Sequence, residues 1–168
     1  MIITANELLN SGLPISDEIS TNTLNDAIMT AESMIVLPRL GDTLFTEIEY
    51  NPEDYDVILN GGLMTEELVI GDESDDSSDD LAIVARFSGL KFAEYHLAFA
   101  VLLTNTVVAT TFGTVVKKDD YSDAAGAERI ERLARQHTAI GMKAIQEITD
   151  WFQIPQNEPL PNLFEELI

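Results

Sequence analysis

The sequence contains no cysteine. That excludes disulfides, thiolate nucleophiles and cysteine-ligated metals, and it neither requires nor rules out an oxidising compartment. Histidine is scarce: His96 and His137 are the two present. They fall on different predicted helices and form no H-x-x-x-H or H-x-x-E pattern. His137 lies on an apolar stripe, which reads as a satisfied core or interface histidine. The G-x-S-x-G, G-x-x-x-x-G-K-[ST] and G-x-G-x-x-G signatures are missing too. Long apolar runs are also lacking. The longest is Leu97 to Leu103, whereas a membrane helix needs ~20 residues, so the chain reads as soluble, with no membrane partner. Met1-Ile2-Ile3-Thr4 carries no basic n-region, so no signal peptide is expected. Bases are rare in the first half: residues 1–80 hold nineteen acids and one base, Arg39.

What is present describes a globular chain. Its 168 residues are 45% hydrophobic and 23% charged, which fits one domain, or one domain with arms. The formal charge is -21. Residues 81–168 are better balanced, with eleven acids against eight bases. A surface this negative repels phosphate backbones, so tight nucleic-acid binding is not expected. Solubility is the plain reading of the acidity.

Thr4-Ala5-Asn6-Glu7 reads as a capping box opening a short helix that Ser11-Gly12 and Pro14 close. Leu24, Ala27, Ile28, Ala31, Met34 and Ile35 place one core face on a second helix starting near Thr23. Pro38 biases Leu37 away from helix and fits the first turn of a third, carrying Leu40, Leu44, Phe45 and Ile48. Asn51-Pro52-Glu53-Asp54 predicts another helix start, and Asn60-Gly61-Gly62 its stop. Residues 72–80, six acids and three serines, read as a solvated loop. Leu81 to Thr111 allows one long helix; equally, Leu81 to Phe87 is extended and the helix starts at Ser88. Gly89 favours the later start, because a mid-helix glycine costs ~1 kcal/mol. Leu97 to Ala109 is apolar almost all round, as in a helix central to a fold or sandwiched between subunits. Phe112 to Val116 reads as a short strand or extended arm without an obvious partner in the chain. Ser122 or Asp123 caps the clearest helix. Ile130, Leu133, His137, Ile140, Ala144, Ile145 and Ile148, with Trp151 or Phe152, form its apolar stripe, and Arg129, Arg132, Arg135 and Lys143 lie opposite. Pro155, Pro159 and Pro161 stiffen the following segment.

Candidate chemistry is sparse. Asp72, Ser74, Asp76, Ser78 and Asp80 alternate like calcium ligands, but an EF-hand needs glycine and glutamate where Ser77 and Ile83 stand. No metal, cofactor or catalytic set is expected. The basic helix face is interleaved with Glu128, Glu131 and Glu147, as in a salt-bridged outer face or one meeting an acidic neighbour. The expected fold class is all-α, a mainly helical bundle with a small β element or extended arm around 112–118. A helical domain over 1–154 would carry the acidic loop 72–80 and the arm 112–122, and residues 155–168 would form a proline-spaced docking tail.

Three stretches carry a resemblance. They are the short helices from Thr4 to Gly62, Gly89-Leu90-Lys91-Phe92-Ala93-Glu94-Tyr95, and Thr111-Phe112-Gly113-Thr114-Val115-Val116-Lys117-Lys118-Asp119-Asp120-Tyr121-Ser122. In this layout the chain resembles the head–tail connector (adaptor, neck) proteins of tailed bacteriophages, in particular the crAss-like phages of gut Bacteroidales. It departs from them in the 72–80 loop and the proline-spaced tail. The resemblance implies a non-enzymatic virion protein made in the bacterial host cytoplasm. It would form a homo-oligomeric ring, of about twelve copies in such assemblies, between the portal protein and the next tail or neck protein. DNA would pass through without tight binding.

Two segments are the candidate intersubunit contacts. One is the arm, with Phe112, Gly113, Val115, Val116 and Tyr121, because an unpaired strand seeks another. The other is the tail, whose Leu160, Leu163, Phe164, Leu167 and Ile168 make a helical apolar stripe that water disfavours. The rival readings are an acidic DNA mimic, or another protein-binding module, that inhibits a nucleic-acid-binding protein, and an enzyme without a recognisable motif.

Overall fold

The computed structural model describes residues 1–67, 81–105, 107–109, 115–117 and 124–153. Thr4 opens helix α1 (Ala5–Leu9) with the expected capping box. The Glu7 N–H donates to Thr4 Oγ1 at 3.2 Å, and the Thr4 N–H donates to Glu7 Oε2 at 2.8 Å. Both donors would otherwise lack a partner within the helix. Helix α2 (Thr21–Ala31) is capped by Ser20, whose hydroxyl accepts from the Thr23 N–H. The cap therefore starts α2 at Thr21, ahead of the apolar spacing. Leu24, Ala27, Ile28 and Ala31 are buried on its inner face.

Pro38 does not break the chain into separate helices, as its sequence context predicts. Backbone helix runs through it by way of a π turn, Glu32–Val36, into α3 (Leu37–Leu40). Leu37 is itself helical, at φ -58 and ψ -48, and its N–H donates to the Glu32 carbonyl, five residues back. Two causes act together. A helical proline crowds the carbonyl four residues before it, here Met34, which sits inside the wider turn. The π turn also absorbs one extra residue. An uninterrupted α-helix, advancing about 100° per residue, would turn Val36 and Leu40 away from Leu24 and Ile28. With the π turn, all four are buried on the core side.

Gly41, at φ 79, turns the chain into α4 (Asp42–Tyr50), which buries Ile48. The helix expected at Asn51-Pro52 begins later, as α5 (Asp56–Asn60). The intervening residues form turns in which the Asp54 and Tyr55 N–H groups donate to the Asn51 and Pro52 carbonyls.

Strands β1 (Gly62–Glu67) and β2 (Leu81–Phe87) pair antiparallel from Gly62 opposite Phe87 to Glu67 opposite Leu81. The register shifts between Met64 and Thr65, leaving Val84 as the extra residue of a bulge. Gly61 and Gly89 close the base of this pair. Both have positive φ, 79° and 98°. A Cβ on Gly89 would lie 2.6 Å from the Gly61 nitrogen, and one on Gly61 would lie 2.6 Å from the Ser88 carbonyl oxygen. Backbone meets backbone there, which only glycine permits.

Helix α6 (Leu90–Asn105) starts after β2, the later of the two starts the sequence leaves open. Every residue from Leu97 to Leu103 is buried. The chain's own fold covers this apolar stretch, so of the two sequence readings the central one applies. The long α7 (Ala124–Trp151) packs along α6. They approach closely at Gly141, where a Cβ would come within 2.9 Å of the Ala93 carbonyl oxygen. Ala134, Ala144, Ile145 and Ile148 continue the seam, and Trp151 meets Phe87 edge to face at 5.9 Å. The protein is thus mainly helical with small β elements. The strand pair at 62–87 adds to the one expected near 112–118.

Candidate functional site

Short strands β3 (Val107–Ala109) and β4 (Val115–Lys117) lie between α6 and α7 in the chain. They pair antiparallel, Val107 opposite Lys117, Val108 opposite Val116 and Ala109 opposite Val115. This corrects the expectation that the arm lacks a partner in its own chain. The partner is the run directly after α6, which the apolar pattern assigns to the helix. β-Branched Val107 and Val108 favour strand once the helix has ended. The sheet has two strands among the described residues, so each keeps one edge for a further strand. Val115 and Val116 are the candidate contact residues placed here. Phe112, Gly113, Tyr121, Leu160, Leu163, Phe164, Leu167 and Ile168 lie outside the described residues, as do loop 72–80 and the tail 155–168.

Two polar pairs sit on α6. His96 and His137, on α6 and α7, approach with Nδ1 atoms 2.7 Å apart. Their ring centroids are 4.9 Å apart and the planes differ by 24°. The centroid separation exceeds the nitrogen separation by about two ring radii, so the imidazoles meet end to end, in line with their lone pairs. One Nδ1 must donate and the other accept, so when both rings are neutral they carry complementary tautomers. Phe99 and Phe92 border it, at 4.7 Å from His137 and 4.5 Å from His96. Burial lowers both pKa values. His137 is held at about 4, with the His96 charge as the second cause. The spacing of 41 residues along the chain hides this pairing from sequence reasoning; the apolar stripe places His137 alone.

Glu94 is fully buried, and neither carboxyl oxygen has a hydrogen-bond partner of ordinary geometry among the described residues. Burial, then the neighbouring Glu32 carboxylate, raises its pKa well above the usual range. Glu32, on the π turn, accepts from the Ile2 N–H at 2.7 Å and lies 3.9 Å from the Met1 ammonium, which also pairs with Glu49. Its own pKa is raised, chiefly by burial. Glu94 is therefore a neutral acid beside a carboxylate. No sequence pattern marks it, because its neighbours come from the N-terminus and the π turn.

The exposed surface divides by charge. Arg129, Arg132, Arg135 and Lys143 project from α7, and Arg135 pairs with Glu131 one turn back. Asp42, Glu47, Glu49, Glu53, Asp54 and Asp56 are exposed on the α4–α5 corner, where residues 42–60 contain no base. Among the described residues no cluster of three or more His, Asp or Glu could hold a metal ion, and no helix is long and apolar enough to cross a membrane. Residues 36–157 match a protein family described as a family of unknown function (DUF6712), and the chain belongs to that family. No curated protein and no solved structure matches it.

Proposed function

We propose that this member of a family of unknown function is a structural subunit of a head–tail connector, forming a ring between portal and tail through which DNA passes. The observation that carries the reading is the β3–β4 pair, which leaves a strand edge on each side among the described residues. Such an edge accepts a strand from a neighbouring copy. It falls beside the stretch Thr111–Ser122 that resembles the connector proteins. The central helix supports the reading indirectly. With Leu97–Leu103 sealed inside one protomer, contacts between copies fall to the hairpin, the tail and the charged faces. A like-charged surface also suits a conduit that DNA slides through without sticking.

The test is truncation at Gln156, read by electron microscopy and by melting of the monomer. The five large apolar residues of the removed tail are worth ~10 kcal/mol gross, at 1.5–3 kcal/mol each, before ordering costs. The truncated chain is expected to stay folded and to lose ring or particle assembly. Unfolding would place the tail on its own domain. Normal assembly would make the tail dispensable and leave the hairpin edge as the contact. A full-length chain that forms no ring and binds a basic nuclease or repressor instead would favour a DNA mimic, a reading to which the exposed acids of the α4–α5 corner lend some weight.

A further inference from the structure

We propose that copies of this chain meet head to tail, the basic stripe of α7 in one copy seating an arginine in the acidic cleft at the α4–α5 corner of the next. The inference deepens the ring reading by naming two faces that meet, and it rests on that reading only in requiring that copies associate.

The stripe is regular. Arg129, Arg132, Gln136, Ala139 and Lys143 are all exposed. Spaced at i, i+3, i+7, i+10 and i+14, they share one helix face about 21 Å long. Four of the nine bases in the chain stand on this helix. The face is exposed and polar, with small Ala139 between Gln136 and Lys143, which suits a docking surface better than a core.

The cleft is complementary to it. It has a volume of about 390 Å³ and is walled by Ile48, Pro52 and Leu59, of which Ile48 and Leu59 are buried. Glu49, Glu53 and Asp56 also line it. The Met1 ammonium already pairs with Glu49. Asp56 accepts from the neutral Asn60 amide at 2.8 Å, and among the described residues neither Asp56 nor Glu53 forms an ion pair. Lys91 and Met1 line the cleft too, and Lys91 pairs with Glu7 at 3.1 Å. The cleft thus offers apolar walls and two carboxylates that form no ion pair among the described residues. That is the chemistry of an arginine: an alkyl stem lies on the apolar walls and the guanidinium forks onto carboxylate. Tyr50, 78% exposed, follows Glu49 at the end of α4. It offers a ring on which a second cation of the stripe can rest.

The occupant is another copy of this chain because the complementary stripe is on the chain itself. Stripe and cleft are different surfaces of the chain; used head to tail, as the ring reading requires, the contact is heterologous and repeats from copy to copy, closing to a ring when the rotation allows.

The absence of cysteine makes a direct test clean. Gln136→Cys on the stripe and Asn51→Cys at the corner are prepared separately, mixed, and treated with a short bis-maleimide. Covalent dimer is expected from the mixture and not from either variant alone. Adding Arg132→Glu to the stripe variant, or Glu53→Arg to the corner variant, should cut the yield at least about fivefold, the weight of one charge pair near 1 kcal/mol. Combining both reversals should restore it. Equal dimer from single variants, or a yield insensitive to the reversals, overturns the contact. Rings in micrographs without the mixed dimer leave the ring reading and remove this interface. Mixed dimer without rings leaves the interface and removes the connector reading. Neither dimer nor rings removes both.

Discussion

His96 and His137 share one proton between facing nitrogens, and burial disfavours a charge on either. The consequence for stability has a definite sign. Their folded pKa values are depressed, with His137 near 4 against 6.5 for the free group. Below pH 6.5 the unfolded chain takes up protons that the folded chain refuses. Stability from this pair is therefore complete above pH 6.5, falls as the pH drops towards 4, and levels off below. For His137 the total is roughly 3 kcal/mol. Glu94 acts the other way. Its folded pKa is raised, so its contribution is complete below pH 4.5 and is lost as the pH rises through the folded value. The two oppose each other between pH 4.5 and 6.5, which should leave the wild-type profile shallow there. His137→Leu is expected to flatten the acid limb and expose the decline with rising pH. Glu94→Gln should leave stability below pH 4.5 nearly unchanged, raise it at pH 8, and steepen the acid limb. Urea melts across pH 4 to 8 check both. An unchanged slope in His137→Leu would show that the imidazole pair carries no proton linkage.

At the level of elements, the π turn sets the facing of everything from Ile35 to Leu40. Inserting one alanine between Ser33 and Met34 would rotate Ile35, Val36 and Leu40 by about 100° relative to α2. Exposing apolar side chains of this size costs about 1.5–3 kcal/mol each, so the variant is expected to unfold or to melt far below the parent in a thermal scan. An unchanged melting temperature would mean that the turn only accommodates Pro38. This device was not legible in the sequence, where proline reads as a stop, because no local pattern reports a change in helix pitch. The Thr4 box, the stop at Gly61 and the α7 stripe were legible, because capping groups, glycine conformation and helical period are local. In the sequence Gly89 reads as costly within a helix, whereas its actual role is a backbone contact with Gly61. The pairing of Val107–Ala109 with Val115–Lys117 was hidden behind the apolar continuity of α6. The His96 and Glu94 sites were hidden because their neighbours are distant along the chain.

Across the whole molecule, charge is sorted by position: acids dominate residues 1–80 and bases gather on α7. The net charge of -21 opposes the approach of a phosphate backbone to that basic stripe. A gel shift with duplex DNA at physiological salt is therefore expected to show no complex. Tight, salt-sensitive binding would instead identify the α7 face as a nucleic-acid site and remove the case for a repelling conduit.

The contact between Gly61 and Gly89, with the β1–β2 pairing beyond it, fixes both ends of residues 68–80 at one place. A segment joined at both ends in this way can grow at little thermodynamic expense, since each doubling of the length between fixed ends adds only about 0.6 kcal/mol of closure entropy. The position is thus a ready graft site. A Gly/Ser insert carrying an epitope between Ser77 and Ser78 should lower the melting temperature by only a few degrees, while labelling every copy at an equivalent point. If copies assemble into the proposed ring, antibody-decorated particles would report, from the symmetry of the decoration alone, how many copies it contains.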